Sequence, residues 1–113
     1  MKQVKKNIKP MVPTESEIRK QICDHLRWTG FFVYYNLAGM GSYPGLSDLV
    51  AVRDGRVVHI EIKKPGGVQS DKQKRFQQKI EAAGGTYILA YGVEDVEEMS
   101  GKKQLQIPET IKK

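Results

Sequence analysis

Residues 48–63 limit the possible folds of this chain more than any other segment. Residues 49–52 form a short apolar run, and Asp54-Gly55 is a dipeptide typical of tight hairpin turns. Over residues 58–63, apolar and polar side chains alternate. This pattern predicts two adjacent antiparallel strands. Side chains alternate between the two faces of a strand, so one face of the second strand is uniformly apolar and is predicted to lie in the core. That face consists of Val58, Ile60 and Ile62.

The remaining segments predict three helices and two further strands. Thr14 and Glu17 form a capping-box pattern that opens a first helix, which Gly30 ends, and residues 31–35 form an aromatic strand. A glycine-rich loop is expected over residues 36–47. A second helix (70–83), a strand (86–91) and a short helix (93–99) follow. The order α-β-β-β-α-β-α predicts an α/β fold with a small mixed central sheet flanked by helices.

Length and cysteine content exclude several classes of protein. The chain has 113 residues, which suits one compact domain. Its single cysteine, Cys23, excludes an internal disulfide and a cysteine-based zinc site, and is expected in the core. No apolar run reaches the ~20 residues of a membrane span, and residues 1–6 do not resemble a secretory signal. We therefore expect a cytoplasmic protein, and not a multidomain enzyme, a secreted disulfide scaffold or a membrane protein.

The net charge of +6 is confined to the two ends of the chain. Residues 1–10 carry four lysines, and residues 100–113 carry four lysines and one glutamate, so the part between them has a net charge of −1. We accordingly divide the chain into a basic arm (1–12), a domain (13–99) and a basic tail (100–113). Each tail is interpreted equally well as a phosphate-binding arm or as a solubilising end.

The hairpin also predicts a cluster of charged side chains at one of its ends. Antiparallel pairing around Asp54-Gly55 places Asp48 opposite residues 60–62, so Asp48 and Glu61 converge. Two neighbouring carboxylates raise each other's pKa unless a cation lies between them, and Mg²⁺ is commonly held by one or two carboxylates. Lys63 cannot bind a metal, but it can steer an attacking water or stabilise a charged transition state. This end of the hairpin is therefore a candidate metal-dependent hydrolytic site.

Each of the first two helices adds a polar candidate to this site. Glu15 continues the inward-facing stripe of Ile18 and Ile22, whereas Glu17 fits the capping box better, so Glu15 is the favoured metal ligand. Gln73 continues the stripe of the second helix and is a candidate hydrogen-bonding group at the same site. His59 lies on the Glu61 face of its strand, where we interpret it as a packed or hydrogen-bonded histidine rather than a ligand.

These residues resemble a known nuclease pattern. An aspartate followed after a gap by Glu-x-Lys on a hairpin resembles the PD-(D/E)xK nuclease superfamily. The longer pattern is similar to its virus-type replication-repair (VRR-NUC) family, and the similarity runs from about residue 13 to residue 99. It comprises Pro-Thr-Glu-Ser-Glu-Ile (13–18), Gly45-x-x-Asp48, Glu-Ile-Lys-Lys-Pro-Gly-Gly (61–67) and Gln-Ser-x-x-Gln-x-x-Phe (69–76). One departure is Ser47, where the family usually has proline, and we expect this change to loosen the turn.

The resemblance implies a restriction-endonuclease-like core and a divalent-metal-dependent DNA phosphodiesterase using Mg²⁺, with Mn²⁺ as a substitute. The implied metal ligands are Glu15, Asp48, Glu61 and the backbone carbonyl of Ile62. Lys63 maps onto the catalytic lysine and Gln73 onto the second-helix glutamine. Small stand-alone members from bacterial viruses resemble Holliday-junction resolvases and act as homodimers. They imply a homodimer that cuts four-way or branched DNA in the cytoplasm of a bacterial host.

Three alternatives stay open from the sequence. The chain could be a general or restriction-like duplex nuclease, or a non-catalytic DNA-binding module on the same scaffold. The loop over residues 36–45 could be a flexible connection or an element that selects DNA shape. Trp28 and the aromatic residues of 31–35 are interpreted as core or dimer interface rather than as base-stacking surfaces.

Overall fold

The structure is a computed structural model, and it describes residues 12–100. This part of the chain contains three helices and four strands. Their order is the predicted α-β-β-β-α-β-α. The predicted basic arm and tail lie outside the described residues except for Val12 and Ser100. The elements are α1 (Glu15–Trp28), β1 (Phe32–Tyr35), β2 (Leu49–Arg53), β3 (Arg56–Ile62), α2 (Asp71–Ala82), β4 (Thr86–Ala90) and α3 (Glu94–Ser100).

The four strands form one mixed sheet in the order β1-β2-β3-β4. The first three strands are antiparallel, and β4 runs parallel to β3 after the crossover through α2. Asp54 and Gly55 both have positive φ, 51° and 79°, which is the backbone conformation of a type I′ hairpin turn. This turn sets the pairing of β2 and β3. The strand order and directions confirm the predicted mixed α/β fold.

Capping boxes begin both long helices. The Thr14 side chain accepts a hydrogen bond from the Glu17 N–H at 3.0 Å, and the Glu17 carboxylate accepts one from the Thr14 N–H at 2.8 Å. Ser70 and Gln73 make the same reciprocal pair at the start of α2, at 3.1 and 2.8 Å. Each pair satisfies backbone donors that have no partner within the helix. The short helix α3 is shifted by one residue from its predicted bounds, and β1 begins one residue later than expected.

The core lies between α1, α3 and one face of the sheet. The apolar face of β3 is fully buried, which confirms the alternation predicted from the sequence. The inward stripe of α1 packs in the same cluster. The buried residues of this cluster are Ile18, Ile22, Cys23, Leu26, Phe31, Val33, Leu49, Ala51, Val58, Ile60, Ile62, Ala90 and Val96.

Helix α2 covers part of the opposite face of the sheet. Its single fully buried side chain among the described residues, Phe76, contacts His59 and Tyr87 with ring centroids 5.8 and 6.1 Å apart. No described helix covers the β1 side of that face, and Phe32 is 66% exposed. Trp28, the last residue of α1, is 82% exposed and so does not lie in the core of the described residues, while its place in a dimer interface stays a prediction. Within residues 12–100, no helix combines the length and the apolar character needed to cross a bilayer.

Candidate active site

The β2–β3 register brings Asp48 and Glu61 to the same end of the hairpin. Leu49 pairs with Ile60, so Asp48, directly before β2, lies opposite Glu61. The Asp48 side chain is half-buried, and its Oδ2 accepts a hydrogen bond from the Ile62 N–H at 2.8 Å. Asp48 is thus tied to the backbone of the strand that carries Glu61 and Lys63.

Asn36 holds the turn in front of Asp48 from the neighbouring strand. Its backbone N–H donates to the Asp48 carbonyl, and its side-chain Nδ2 donates to the Ser47 carbonyl, both at 2.9 Å. Ser47 itself is buried, and its hydroxyl donates to the Leu49 carbonyl at 3.3 Å. These hydrogen bonds hold the turn before Asp48. Sequence reasoning missed Asn36, since only the pairing of Tyr35 with Leu49 brings it beside residue 47.

Glu61 is a buried carboxylate with unequal oxygens. It is 2% exposed. Its Oε2 accepts a hydrogen bond from Gln73 Nε2 at 2.8 Å and lies 3.6 Å from Lys63 Nζ. Its Oε1 is buried and has no hydrogen-bond partner among the described residues. A buried carboxylate oxygen without a partner is costly unless it is protonated or neutralised by a cation.

The pKa of Glu61 is raised to about 7, chiefly by burial, then by the nearby Asp48 carboxylate and to a smaller extent by Glu15. Lys63 opposes these effects by lowering that pKa. The balance leaves Glu61 able to gain or lose a proton near neutral pH. A group so placed, in contact with a cation and a second carboxylate, is a functional-site candidate on physical grounds.

Glu15 stands apart from this pair. Its carboxylate is 41% exposed and lies 3.6 Å from Arg19 on the next turn of α1. Within residues 12–100, no three His, Cys, Asp or Glu side chains form a group that could hold a metal ion. The structure therefore brings Asp48 and Glu61 together but does not join Glu15 to them. Glu17 is engaged in the capping box. Glu15 is the acid of α1 whose charge raises the pKa of Glu61.

The residues at the hairpin end nevertheless fit a divalent cation. Mg²⁺ prefers oxygen ligands and is usually held by one or two protein carboxylates, with water and phosphate oxygens completing its shell. Asp48 and Glu61 supply two carboxylates, and Oε1 of Glu61 is the buried oxygen that lacks a partner. The donor chemistry and the uncompensated oxygen both suit a small, hard cation.

His59 packs against Phe76 rather than joining the carboxylates. The two rings meet edge to face, Nδ1 of His59 is buried with no hydrogen-bond partner in the described part of the chain, and burial lowers the pKa of the imidazole. A neutral, packed histidine is the expected state of such a group.

Comparison with solved structures gives an informative likeness. No protein-family model matches the sequence, and no curated protein matches it. A solved structure described as a VRR_NUC domain superposes on this chain with a TM-score of 0.67, covering 76% of this chain and 92% of that one, at 18% sequence identity. At this level of identity the likeness concerns the fold. The restriction-endonuclease-like arrangement that the sequence motifs implied is thereby confirmed, and the chain has the fold of a VRR_NUC domain.

Proposed function

We propose that this chain is a VRR-NUC nuclease that hydrolyses DNA phosphodiester bonds with the help of a divalent metal ion. One observation carries the proposal: Glu61 is buried opposite Asp48, with one carboxylate oxygen unpartnered, at the hairpin end of a VRR_NUC fold. A module that only binds DNA gains nothing from two carboxylates in this position, since they repel phosphate.

Asp48 and Glu61 would hold Mg²⁺, or Mn²⁺ in its place, with the backbone carbonyl of Ile62 and the Glu15 carboxylate as the further ligands that the family resemblance implies. When bound, the cation neutralises charge on the phosphodiester and makes water a better nucleophile. The two carboxylates repel each other, and a cation bound between them would relieve this repulsion.

The chain's own side chains orient this carboxylate pair. Gln73 and Lys63 both engage Oε2 of Glu61, so they restrict rotation of the carboxylate and leave Oε1 as the oxygen available to a ligand. The ammonium group of Lys63 can stabilise negative charge on the phosphate or orient the attacking water. Water attacks phosphorus in line, the bond to the 3′ oxygen breaks, and that oxygen takes up a proton. The products have 5′-phosphate and 3′-hydroxyl ends.

The uncovered sheet face supports a homodimer. Phe32 and Tyr34 project from β1 with ring centroids 5.6 Å apart, and Val57 continues their row across the sheet through its pairing with Val52. Phe32, Tyr34 and Val57 are 66%, 45% and 45% exposed. Exposed apolar side chains that lie next to one another are typical of interaction surfaces. A two-fold dimer would present two cutting sites symmetrically, which suits a four-way or otherwise branched DNA junction.

End-labelled DNA substrates test this proposal directly. We would incubate the full chain with Mg²⁺ or Mn²⁺ and a four-way junction, a flap, a linear duplex or a single strand. Paired symmetric cuts on the junction are the expected result. Equal cutting of linear duplex would favour a general or restriction-like nuclease. Junction binding without cutting in either metal would favour a non-catalytic module.

Two variants control the cleavage experiment. Glu61→Ala removes the buried carboxylate and should abolish cutting. Glu97→Gln removes an exposed carboxylate of α3 and should leave cutting unchanged. Cleavage that survives Glu61→Ala would come from a contaminating nuclease or from another site on the chain.

A further inference from the structure

A basic cleft of about 350 Å³ lies between α2 and the loop that precedes β2. Tyr43 and Pro44 form its loop side, and Phe76 lies at its base. Three cationic side chains of α2 complete the lining, namely Lys72, Arg75 and Lys79. Their spacing of three and four residues places all three on one face of the helix.

The cleft is electrostatically uncompensated. Its lining contains three cations and no acidic side chain. Within residues 12–100, Lys72, Arg75 and Lys79 form no ion pair, whereas Lys20 and Arg19 on α1 are paired with acids one turn away. Unpaired cations on a single face attract a polyanion.

An aromatic surface accompanies the cations. Tyr43 is 50% exposed and contacts Phe76, with ring centroids 5.9 Å apart. Phe76 is buried and its ring is tilted by 53° to that of Tyr43, so it supports Tyr43 from one side, and the exposed half of Tyr43 can take a ligand. Aromatic rings flanked by Lys and Arg are the usual surface on which unpaired nucleic-acid bases stack.

Close packing holds the loop in place against α2. Gly45 has φ of +79°, and a Cβ at this position would collide with the backbone carbonyl of Lys72. The loop therefore contacts the first turn of α2 through its backbone, which positions Tyr43 and Pro44 at the cleft. This contact holds the C-terminal end of the 36–45 loop against α2.

The cleft leads toward the candidate active site. A second depression of about 310 Å³ shares Tyr43, Pro44 and Lys72 with it and extends to Gln73. Gln73 is hydrogen-bonded to Glu61. A strand lying along α2 from Lys79 past Tyr43 would thus arrive beside the carboxylate pair.

We infer that this cleft binds an unpaired segment of the DNA substrate next to the cut. A base stacks on Tyr43, and the phosphates contact Lys72, Arg75 and Lys79. The inference rests on the proposed nuclease function and adds to it a preference for branch points at which nucleotides are unpaired or open, such as the base of a flap or the centre of a four-way junction. The pairing of a stacking ring with a row of cations is what separates this ligand from a fully paired duplex, whose bases are not free to stack on protein.

Fluorescence anisotropy in EDTA, where binding is separated from cutting, tests the cleft. The probes are a labelled thymidine oligonucleotide, a flap and a blunt duplex. Tyr43→Leu keeps an apolar side chain against Phe76 but removes the ring, and it should weaken binding of the oligonucleotide and flap by about tenfold. Tyr43→Phe should bind like the wild type, and binding of the blunt duplex should change little in either variant.

Salt dependence tests the cations with a matched control on the same helix. Arg75→Ala and Lys79→Ala should each reduce the slope of log K against log salt concentration by about 0.7 for the oligonucleotide. Lys74→Ala removes an exposed lysine outside the cleft and should leave the slope unchanged. An equal effect of Lys74→Ala, or wild-type binding by Tyr43→Leu, would overturn the inference.

Cleavage of the same flap with Mn²⁺ separates the two proposals. Cutting that is intact in the wild type and equally intact in Tyr43→Leu and Arg75→Ala would refute the cleft but leave the nuclease standing. Selective binding by the cleft with no cutting of any substrate would refute the nuclease and keep the cleft as a single-strand site.

Discussion

The Gln73 side chain joins the start of α2 to the buried carboxylate of Glu61. Its Nε2 donates to Oε2 of Glu61 at 2.8 Å, while its own Oε1 accepts the Ser70 N–H at 2.8 Å. One side chain therefore both caps a helix and decides which oxygen of Glu61 lacks a partner. The position of α2 and the orientation of the candidate metal ligand are coupled through this residue.

Removing either carboxylate should stop cleavage without unfolding the protein. We expect Asp48→Asn and Glu61→Gln each to reduce the rate of DNA cleavage by at least about 100-fold, because each takes a charge from the site that would hold the metal. Thermal melting without metal should show Glu61→Gln at least as stable as the wild type, since it removes a buried charge. Glu61→Gln cutting at the wild-type rate would contradict the assignment.

The metal-free protein should lose stability as the pH rises. The pKa of Glu61 is raised to about 7 in the folded chain from an ordinary value of 4.5. Its contribution is therefore complete below about pH 4.5 and is lost as the pH rises through about 7, with a loss of about 3 kcal/mol in the free energy of unfolding. Urea denaturation in EDTA between about pH 5 and pH 8 measures this loss.

Glu61→Gln is the control for that pH series, since its side chain does not titrate. The wild-type and Glu61→Gln stability curves should diverge as the pH rises, and parallel curves would show that Glu61 does not titrate in this range. Adding Mg²⁺ should restore wild-type stability most strongly at the alkaline end, because the ion binds the charged carboxylates.

Two substitutions separate the two roles of Gln73. Gln73→Ala loses both of its hydrogen bonds, so we expect the free energy of unfolding to fall by about 1 kcal/mol and cleavage to slow. Gln73→Glu can still accept the Ser70 N–H but places another carboxylate against Glu61, which raises the Glu61 pKa. Its cleavage rate should therefore reach a maximum at higher pH than that of the wild type. An unshifted pH profile would mean that Gln73 acts only as a cap.

Contact with α2, rather than backbone conformation alone, should make Gly45 intolerant of substitution. Gly41 and Gly45 both have positive φ, +91° and +79°, but a Cβ at Gly41 meets nothing within 4 Å. Gly41→Ala should cost about 1 kcal/mol of unfolding free energy, and Gly45→Ala at least about 2 kcal/mol, because Gly45→Ala also displaces the loop from Lys72. Chemical denaturation compares them, and equal losses would refute close packing of the loop.

A charge on the uncovered sheet face should prevent self-association. We expect sedimentation of the wild type to show a dimer and that of Phe32→Asp to show a folded monomer, because the substitution would bury a charge in an apolar interface. Gln21→Asp, at an exposed position of α1, is a comparison for a general effect of added charge. A wild-type monomer at high protein concentration would refute the dimer.

Local patterns were sufficient to predict the hairpin and the helix starts. The turn at Asp54-Gly55 and the alternation over residues 57–63 depend on neighbouring residues only, and the Thr14 capping pattern spans one helical turn. For the same reason the sequence predicted that Asp48 and Glu61 face each other, since a two-residue turn sets the register between them.

The sequence by itself thus determined the order of the elements, the buried faces of α1 and β3 and the pairing of the two carboxylates, because these follow from periods of two and of about 3.6 residues and from turn chemistry. Tertiary structure alone decided that Asn36 holds the turn before Asp48, that Glu15 turns to Arg19, and that the loop packs on Lys72 to form a basic cleft. The Asn36 and Lys72 contacts join residues far apart in the chain. The Glu15–Arg19 pair is local, but a half-exposed glutamate has several rotamers, and only one of them makes this pair. Their geometry depends on how the helices dock on the sheet, which no local pattern encodes.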